Sequence, residues 1–270
     1  MVVGPDLPGL VCVRRINEAR GRTELDLDEV YLALRVSDAA EVAVRVYGRP
    51  LHTERDRQRF DREVGALRAL TGEEYVVGIH GSGVTAQARA FVVTDYCPAG
   101  SLYDNLTSVG RFTPAEVRVI GIKLASALAA AHDREIYHRN LKPANILVDG
   151  RGEPALTDFG LVTLATSNGD YTPLTASTQR AYVAPEAFLP ELMSVAADVY
   201  ALGATLYALL AGWAPRTADP LQPAVDGETL VDLPKVPFVL MSVLRRAMAL
   251  DPKDRYGDAL DLGRALATAV

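Results

Sequence analysis

Residues 138–145 read HRNLKPAN, and the triplet DFG follows at 158–160. Both motifs lie in a part of the chain where helical patterns dominate, after a first part in which apolar and polar residues alternate as in β-strands. The third residue of the first motif, Asn140, carries a carboxamide. This group offers an acceptor oxygen and N–H donors, but it has no useful affinity for a proton. Asn140 is therefore not expected to act as a general base.

The first part of the chain contains two alternating segments, EVYLALRV (29–36) and EVAVRVYG (41–48), which predict strands. Between these and the later strand signals lies RQRFDREVGALRAL (57–70), whose apolar residues share one face at helical spacing. Glycine and proline in CPAGS (97–101) then interrupt the pattern. The first part therefore predicts a small β-rich unit with one helix.

Helical patterns fill the second part. One begins with Thr113 as a predicted N-cap, and others cover 195–214 and 237–250. We predict an α+β fold of two lobes within one domain, a small β-rich lobe over residues 1–96 and a larger, mostly helical lobe over 97–270.

Composition excludes several classes of protein. The 28 basic residues are scattered among 34 acidic ones, and the net charge of -6 argues against nucleic-acid binding. Cys12 and Cys97 lie far apart without a second CxxC or clustered histidines, which argues against a zinc site and against a secreted disulfide fold. The apolar run 195–214 contains Asp198 and favours a buried helix over a membrane span. We expect a cytoplasmic protein, or the cytoplasmic domain of a longer one, with no membrane span in this segment.

Further motifs extend the pattern on both sides of the opening stretch. In chain order they are EVAVR (41–45), VTDY (93–96), HRNLKPAN, DFG, APE (184–186), DVYALG (198–203) and DPKDR (251–255). Together and in this order they resemble the landmarks of a protein Ser/Thr kinase domain of the bacterial, eukaryotic-like type. The resemblance covers nearly the whole chain and implies a bilobal kinase fold with a hinge at about 95–100.

The resemblance implies structural roles for several residues. Glu186 is expected to pair with Arg255 within the helical lobe, and Asp198 is expected to fix the backbone of the HRNLKPAN loop. His138 and Phe159 match the apolar stack of the family. The residues that hold the fold together are therefore retained.

The resemblance also implies a nucleotide site. Asn145 and Asp158 match the Mg²⁺ ligands of the family. The residues that match the nucleotide pocket are Val30, Ala43, Thr94, Asp95, Cys97 and Leu147.

Three positions depart from the kinase pattern. Asn140 stands where the catalytic aspartate is expected, and Arg45 stands where a lysine pairs with Glu63 and the phosphates. Arg45 either forms an ion pair with Glu63, which we favour, or binds phosphate. Lys142 matches a residue near the transferring phosphate, and a hydrogen-bonding role within the loop explains it equally well.

The third departure is the glycine-rich loop, in which Thr23, Leu25 and Asp28 occupy the glycine positions. Acidic side chains crowd the same segment, at Glu24, Asp26, Asp28 and Glu29. At ~8 Å and an effective dielectric of about 20, each like-charge pair with a triphosphate costs on the order of 2 kcal/mol. Weak or absent binding of ATP and Mg²⁺ follows, and no cofactor is expected.

The three departures predict a pseudokinase, a kinase fold without catalysis that acts as a regulatory scaffold through protein–protein contacts. On this interpretation the chain is not an enzyme. The alternative is a weakly active Ser/Thr protein kinase, or another transferase that uses MgATP.

Regulation is predicted in the loop 161–183, where a phosphate could pair with Arg139. Turn chemistry alone explains any single hydroxyl there equally well. The expected partners are proteins, such as an active Ser/Thr kinase or a phosphopeptide-binding protein, and a homodimer is possible by analogy. The candidate phosphorylation sites are Thr172, Thr175, Ser177 and Thr178.

Overall fold

The structure is a computed structural model. Two compact units divide the chain, and each is described by itself. The described residues of the first unit lie within Met1–Gly72 and Val77–Pro98, and those of the second within Glu73–Val76, Ala99–Val162 and Tyr171–Val270. The structure describes residues 4–16, 28–159, 181–188, 194–215, 230 and 232–269.

The first unit consists of an antiparallel sheet and one helix. Its strand order is β1-β2-β3-β5-β4. Helix α1 begins after Thr53, whose hydroxyl accepts a hydrogen bond from the Asp56 amide while the Asp56 carboxylate accepts one from the Thr53 amide. The elements are β1 (Leu10–Arg15), β2 (Glu29–Arg35), β3 (Glu41–Pro50), α1 (Glu54–Ala69), β4 (Ile79–Val84) and β5 (Arg89–Asp95).

Strand alternation places one set of side chains in the core of this sheet. Val42, Val44 and Val46 of β3 are buried together with Phe91 and Val93 of β5. The residues between them on β3, Ala43 and Arg45, face the opposite side because successive side chains alternate. The period of the sequence therefore decides which face carries the predicted nucleotide residues.

The second unit is mostly helical. Its helices are α2 (Leu102–Ser108), α3 (Pro114–His132), α4 (Val195–Ala211), α5 (Phe238–Ala247) and α6 (Ala259–Thr268). Short strands β6 (Ile146–Val148) and β7 (Pro154–Leu156) form a hairpin. Single helical turns occur at Pro143–Asn145, Pro185–Phe188 and Pro252–Asp254.

Helix α4 forms the centre of this unit. Asp198 to Ala211 are all buried, as the sequence predicts for this apolar run, and the helix ends at Gly212, whose φ of 86° is left-handed. Among the described residues, no helix is long and apolar enough to cross a membrane. Thr113 caps α3 as predicted, with Pro114 in the first turn.

Helix α3 packs closely against α6. A Cβ atom on Gly121 would lie 2.7 Å from a methyl of Leu266 and 2.8 Å from one of Leu206. Arg118 donates to the carbonyl oxygens of Leu266 and Ala267, at 3.1 and 3.0 Å. The Leu266 carbonyl also accepts the N–H of Ala269 at 3.3 Å, so Arg118 adds a second hydrogen bond at the C-terminal end of α6.

The predicted fold class is confirmed by these elements. The sequence did not indicate α2, β6, β7 or α6. The strands β6 and β7 span three residues each, which is too short for a period to show.

Candidate active site

A buried carboxylate organises the HRNLKPAN loop. Asp198, in the first turn of α4, accepts hydrogen bonds from the backbone N–H groups of His138 at 2.7 Å and Arg139 at 3.0 Å. Its Oδ2 also lies 2.9 Å from Nε2 of His132, at the end of α3. The carboxylate therefore joins three elements: it belongs to α4, it binds two backbone N–H groups of the loop, and it contacts the His132 ring of α3.

The charge states of this cluster follow from burial and from hydrogen bonds. Burial raises the pKa of Asp198, but the hydrogen bond with His132, the nearby His138 ring and the Arg139 N–H outweigh it and hold the pKa below its usual value. Burial lowers the pKa of His138, and this outweighs the attraction of Asp198. Asp198 is therefore ionised and His138 neutral near pH 7.

The neutral His138 ring has a defined environment. Its Nδ1 accepts a weak hydrogen bond from the Asn140 N–H at 3.4 Å, and the ring packs on Phe159 with centroids 4.5 Å apart. Nε2 is buried and has no hydrogen-bond partner among the described residues. His138 thus contributes packing and backbone orientation to the loop.

Asn140 and Asn145 are joined within the loop. The side-chain Nδ2 of Asn145 donates to the carbonyl oxygen of Asn140 at 2.7 Å. The Asn145 carbonyl oxygen accepts a hydrogen bond from the N–H of Thr157 at 3.1 Å, next to Asp158. Asn145 and Asp158 are both buried. The loop therefore brings one carboxamide and one carboxylate to neighbouring backbone positions.

Two residues close to Asn140 and Asn145 in this site, Arg139 and Asp158, have a strained backbone conformation. Arg139 and Asp158 both have a φ of 65°, in the left-handed region that non-glycine residues rarely adopt. Strain of this kind costs on the order of 1–3 kcal/mol per residue and is concentrated at functional sites. The hydrogen bond from the Arg139 N–H to Asp198 helps to hold the first of these conformations.

The donor set of the loop fits Mg²⁺. Magnesium prefers oxygen ligands and is usually held by one or two carboxylates plus substrate phosphates. Because Nδ2 of Asn145 is held by Asn140, the amide oxygen is left to act as the ligand, and Asp158 supplies a buried carboxylate. Among the described residues there is no cluster of three or more His, Cys, Asp or Glu side chains that could hold a metal.

A second buried ion pair lies in the same unit. Arg255 binds Glu186 through two hydrogen bonds, from Nη1 at 2.6 Å and from Nη2 at 2.8 Å. The remaining donors of Arg255 reach the carbonyl oxygens of Ala249, Ala196 and Leu250. The guanidinium is fully buried, and all of its nitrogens are used.

The first unit holds the other predicted residues. Val30 lies opposite Arg45, and Ala43 lies opposite both Leu32 and Thr94 in the sheet register. The strands β2, β3 and β5 therefore bring Val30, Ala43 and Thr94 close together. Leu147 belongs to β6 of the second unit.

Glu63 contacts Arg59 within α1, and the backbone of Lys142 bonds Asn145 within the loop. Oε1 of Glu63 lies 3.6 Å from Nε of Arg59, one helical turn away. The Lys142 carbonyl oxygen accepts the N–H of Asn145 at 2.9 Å, so the backbone of Lys142 helps to close the turn Pro143–Asn145. This bond does not involve the Lys142 side chain, so both roles considered for that side chain stay predictions.

Two of the acidic residues that were predicted to repel a triphosphate, Asp28 and Glu29, have partners in the structure. Glu29 binds Arg89 at 2.7 Å and Arg15 at 3.2 Å, and Asp28 accepts a hydrogen bond from the N–H of Gly48 at 3.0 Å. Burial raises the pKa of Glu29, but the hydrogen bond and charge of Arg89, the Tyr31 hydroxyl and the charge of Arg15 together outweigh burial and hold the pKa below its usual value. The charge of Glu29 is therefore balanced by two guanidinium groups, whereas the backbone hydrogen bond to Asp28 leaves its negative charge in place.

Several predicted positions lie outside the described residues. These are the loop positions Thr23, Glu24, Leu25 and Asp26, and the candidate phosphorylation sites Thr172, Thr175, Ser177 and Thr178. The residue expected to bind their phosphates, Arg139, is exposed, and its backbone N–H is bound to Asp198.

Two histidines that contact predicted site residues were not predicted from the sequence. His132 lies 66 residues before Asp198 and carries no local motif. His80 lies 2.6 Å from Oδ1 of Asp95, 15 residues further along the chain. No spacing rule links such pairs, because their distance depends on how separate elements pack.

Comparison with known proteins agrees with this geometry. The model of the protein kinase domain family matches residues 26–256. The chain therefore belongs to the protein kinase family.

Its relatives are named kinases. Serine/threonine-protein kinase PknK of Mycobacterium bovis is 36% identical over 248 residues, which cover 88% of this chain and 22% of PknK. Serine/threonine-protein kinase PrkC of Bacillus subtilis is 28% identical over 286 residues, covering 100% of this chain and 42% of PrkC. The chain thus spans less than half the length of these curated relatives.

Solved structures are similar along the whole chain. The crystal structure of a cysteine-to-alanine variant of the Mycobacterium tuberculosis PknI kinase domain has a TM-score of 0.76 and 25% identity, and the match covers 99% of this chain and 98% of that one. A second PknI kinase domain structure has a TM-score of 0.73 and 27% identity, covering 96% and 94%. The predicted bacterial, eukaryotic-like kinase fold is confirmed.

The prediction that the chain is not an enzyme is wrong at the level of the family. The matched family is an enzyme family, and the curated relatives are named serine/threonine-protein kinases. The prediction also treated Glu29 as an unbalanced charge, although Glu29 is paired with Arg89 and Arg15.

Proposed function

We propose that this chain is a Ser/Thr protein kinase that transfers the γ-phosphoryl group of MgATP to a serine or threonine hydroxyl of a protein, with weak affinity for ATP. One observation carries the proposal. Nδ2 of Asn145 bonds the carbonyl oxygen of Asn140 at 2.7 Å, within a loop held by Asp198. The names of PknK and PrkC support the hydroxyl as the acceptor.

Asn145 and Asp158 are the residues that would hold Mg²⁺, which would neutralise the charge that develops on the phosphates. Their task is to fix oxygen ligands before the nucleotide arrives. The hydrogen bond to Asn140 fixes the Asn145 amide, and burial limits the motion of Asp158. Such preorganisation avoids the cost of ordering these groups during the reaction.

Asn140 would orient the acceptor hydroxyl without accepting its proton. Its amide oxygen can accept a hydrogen bond from the hydroxyl, and the proton must then leave to water or to a phosphoryl oxygen. Phosphoryl transfer passes through a loose transition state, so positioning and charge stabilisation provide most of the catalysis. Loss of the general base costs typically 10²–10⁴-fold, or roughly 3–5 kcal/mol of barrier. We therefore expect a slow enzyme.

Arg45 is one reason for weak ATP affinity. It lies in the middle strand, β3, between Val30 of β2 and Val92 of β5, where a kinase lysine would contact the phosphates. A guanidinium keeps the positive charge but presents a planar fork in place of a compact ammonium. We expect a KM for ATP near or above ~1 mM, at the upper end of the usual range.

The cellular setting that we propose is the cytoplasm, with regulation through protein partners. Phosphorylation at Thr172, Thr175, Ser177 or Thr178, by this chain or by another Ser/Thr kinase, would provide a ligand for the exposed guanidinium of Arg139. A phosphopeptide-binding protein and a second copy of the chain are further proposed partners. Nucleic acid is not among them, since the net charge is -6.

A transfer assay tests the proposal. The purified chain is incubated with γ-labelled ATP, Mg²⁺ and a mixed pool of Ser- and Thr-containing peptides, and the labelled residues are identified. We expect slow transfer to Ser or Thr that is lost in Asp158→Ala and Asn145→Ala. Asp133→Ala is the matched control, because Asp133 is an exposed aspartate at the end of α3.

Two results would contradict the proposal. One is the absence of transfer at millimolar ATP in a preparation whose nucleotide binding is demonstrated by a thermal shift. The other is label that persists in Asp158→Ala, which would indicate a contaminating kinase.

A further inference from the structure

The end of strand β5 is tied to strand β4 by an unusual set of contacts around Asp95. The N–H of Gly78 donates to Oδ2 of Asp95 at 2.8 Å, and the N–H of Asp95 donates to the carbonyl oxygen of Gly78 at 3.0 Å. Nε2 of His80 lies 2.6 Å from Oδ1 of the same carboxylate. Both carboxylate oxygens of Asp95 are therefore used to bind the strand beside it.

A β-bulge makes the histidine contact possible. Strand β4 pairs with β5 at Ile79 opposite Thr94 and next at Gly81 opposite Val93, so His80 is an extra residue on β4. Bulges redirect a side chain and are common beside active sites. In a regular strand, His80 would occupy a ladder position of its own, whereas here its ring turns to the Asp95 carboxylate.

Gly78 is required for the same contact. A Cβ atom at Gly78 would lie 2.7 Å from Oδ2 of Asp95, a distance that real Cβ atoms do not tolerate. The absence of a side chain lets the backbone N–H of Gly78 approach the carboxylate closely. Three features at the start of β4 thus converge on the Asp95 side chain: a glycine just before the strand, a bulge and a histidine.

The contacts around Asp95 matter because Thr94 to Cys97 contain predicted nucleotide-pocket residues. Thr94, Asp95 and Cys97 were assigned to the nucleotide pocket by the family resemblance. The hydroxyl of Thr94 donates to the carbonyl oxygen of Asp95 at 3.3 Å, and Ala43 lies opposite Thr94 in the sheet. The carboxylate of Asp95 points to β4 and its N–H bonds Gly78, so we expect this segment to bind a base through the Asp95 carbonyl oxygen and the backbone of Cys97.

We propose that Asp95, His80 and Gly78 are positioning residues that hold the backbone of Thr94 to Cys97 in place to bind the adenine base. The inference rests on the proposed function, since it assumes that ATP binds at this segment. It adds the means by which the chain fixes that backbone. Neither the side chains of Asp95 and His80 nor the backbone of Gly78 is expected to touch the phosphates or the acceptor hydroxyl.

Binding of adenosine and of MgATP to His80→Ala, Gly78→Ala and Asp95→Asn tests this role. Loss of a charge-assisted hydrogen bond on a half-exposed pair is expected to raise the dissociation constant by roughly three- to tenfold. Because the affected backbone contacts the base, the fold-change should be the same for adenosine and for MgATP. In the transfer assay, KM for ATP should rise by the same factor while kcat stays unchanged.

Two further variants complete the design. His80→Gln keeps an N–H donor of similar reach and should restore most of the affinity. His52→Ala removes an exposed histidine of the same unit and should leave both dissociation constants unchanged. Melting temperatures without ligand show whether each variant is folded. Gly78→Ala provides the independent disruption if His80→Ala does not fold.

The outcomes separate this inference from the proposed function. Wild-type affinity for adenosine in folded His80→Ala and Gly78→Ala overturns the positioning role, even if the chain is an active kinase. A change in MgATP affinity alone also overturns it, because the effect would then lie at the phosphates. If wild type binds nucleotide without transferring phosphate, the proposed function fails while the positioning role stands. Absence of adenosine binding in wild type overturns the positioning role directly.

Discussion

The side-chain amide of Asn145 donates its hydrogen bond to the backbone carbonyl of Asn140, at 2.7 Å. Because the acceptor is a backbone group, the contact does not depend on which side chain occupies position 140. The metal-ligand position and the catalytic-base position are therefore separable. The side chain at 140 can be changed while the orientation of Asn145 is retained.

Asn140→Asp is expected to accelerate transfer. The carboxylate can accept the proton of the acceptor hydroxyl, and general base catalysis is worth typically 10²–10⁴-fold. We expect kcat to rise within that range at constant KM for ATP, measured with labelled ATP and the peptide pool. Asn140→Ala is the companion variant and should fall below wild type, because it removes the acceptor oxygen. Equal kcat values in wild type and Asn140→Asp would show that proton acceptance does not limit the reaction.

The pair Glu186–Arg255 is expected to dominate the stability of the second unit. Arg255→Ala leaves the Glu186 carboxylate without its partner in a mostly buried site, and breaking such a pair costs about 3–5 kcal/mol. Urea unfolding measures the loss. Arg264→Ala is the control, since the Arg264–Asp261 pair is exposed and its loss should change the free energy of unfolding by less than ~0.5 kcal/mol. A similar effect from both variants would contradict the assignment.

Stability should fall as the solution is acidified. The pKa of His138 in the folded chain lies below its ordinary value of 6.5 because of burial. Below pH 6.5 the unfolded chain therefore binds a proton that the folded chain does not, and stability is lost as pH falls towards the folded pKa. Asp198, whose pKa is lowered from 3.8, acts in the same direction at lower pH. Below about pH 3.8 the unfolded chain binds a proton at this carboxylate while the folded chain does not, so stability is lost as the pH falls further.

The histidine contribution can be isolated with His138→Phe, which keeps a ring against Phe159 and removes the titration. Between about pH 7 and pH 5, the slope of unfolding free energy against pH should become shallower by up to ~1.4 kcal/mol per pH unit. His52→Phe, at an exposed position, should keep the wild-type slope. Identical slopes in wild type and His138→Phe would show that His138 is not responsible.

Two glycine substitutions should have opposite effects on stability. Gly121→Ala places a methyl group against the buried side chains of Leu266 and Leu206, and overpacking costs typically about 1–3 kcal/mol. Gly65 lies within α1, and a Cβ atom there meets nothing within 4 Å. Gly65→Ala should therefore stabilise the helix by roughly 0.5–1 kcal/mol. Thermal and urea unfolding of both variants checks the signs, and stabilisation by Gly121→Ala would contradict the packing of α3 on α6.

The sequence predicted the elements whose periods are long and regular. Strands β2 and β3, helix α1, the Thr113 cap and the buried helix α4 all lie where the alternation or the helical spacing places them. The sequence did not show which charged side chains form ion pairs. Glu29 was predicted to repel a triphosphate, yet it binds Arg15 of the adjacent strand β1 and Arg89 of β5, which lies beyond β3 in the sheet. That misjudgement contributed to the wrong prediction of a protein without enzyme activity.

By itself, the sequence determined the fold family and the chemistry available at the loop: a carboxamide at 140, an arginine at 45 and oxygen ligands at 145 and 158. These are properties of residue type and order, which need no coordinates. Only the tertiary structure decided which groups are charged, buried or bound. His132 meets Asp198 across 66 residues, and His80 reaches Asp95 through a bulge. Such contacts depend on strand register and helix packing, and local sequence patterns do not encode either one.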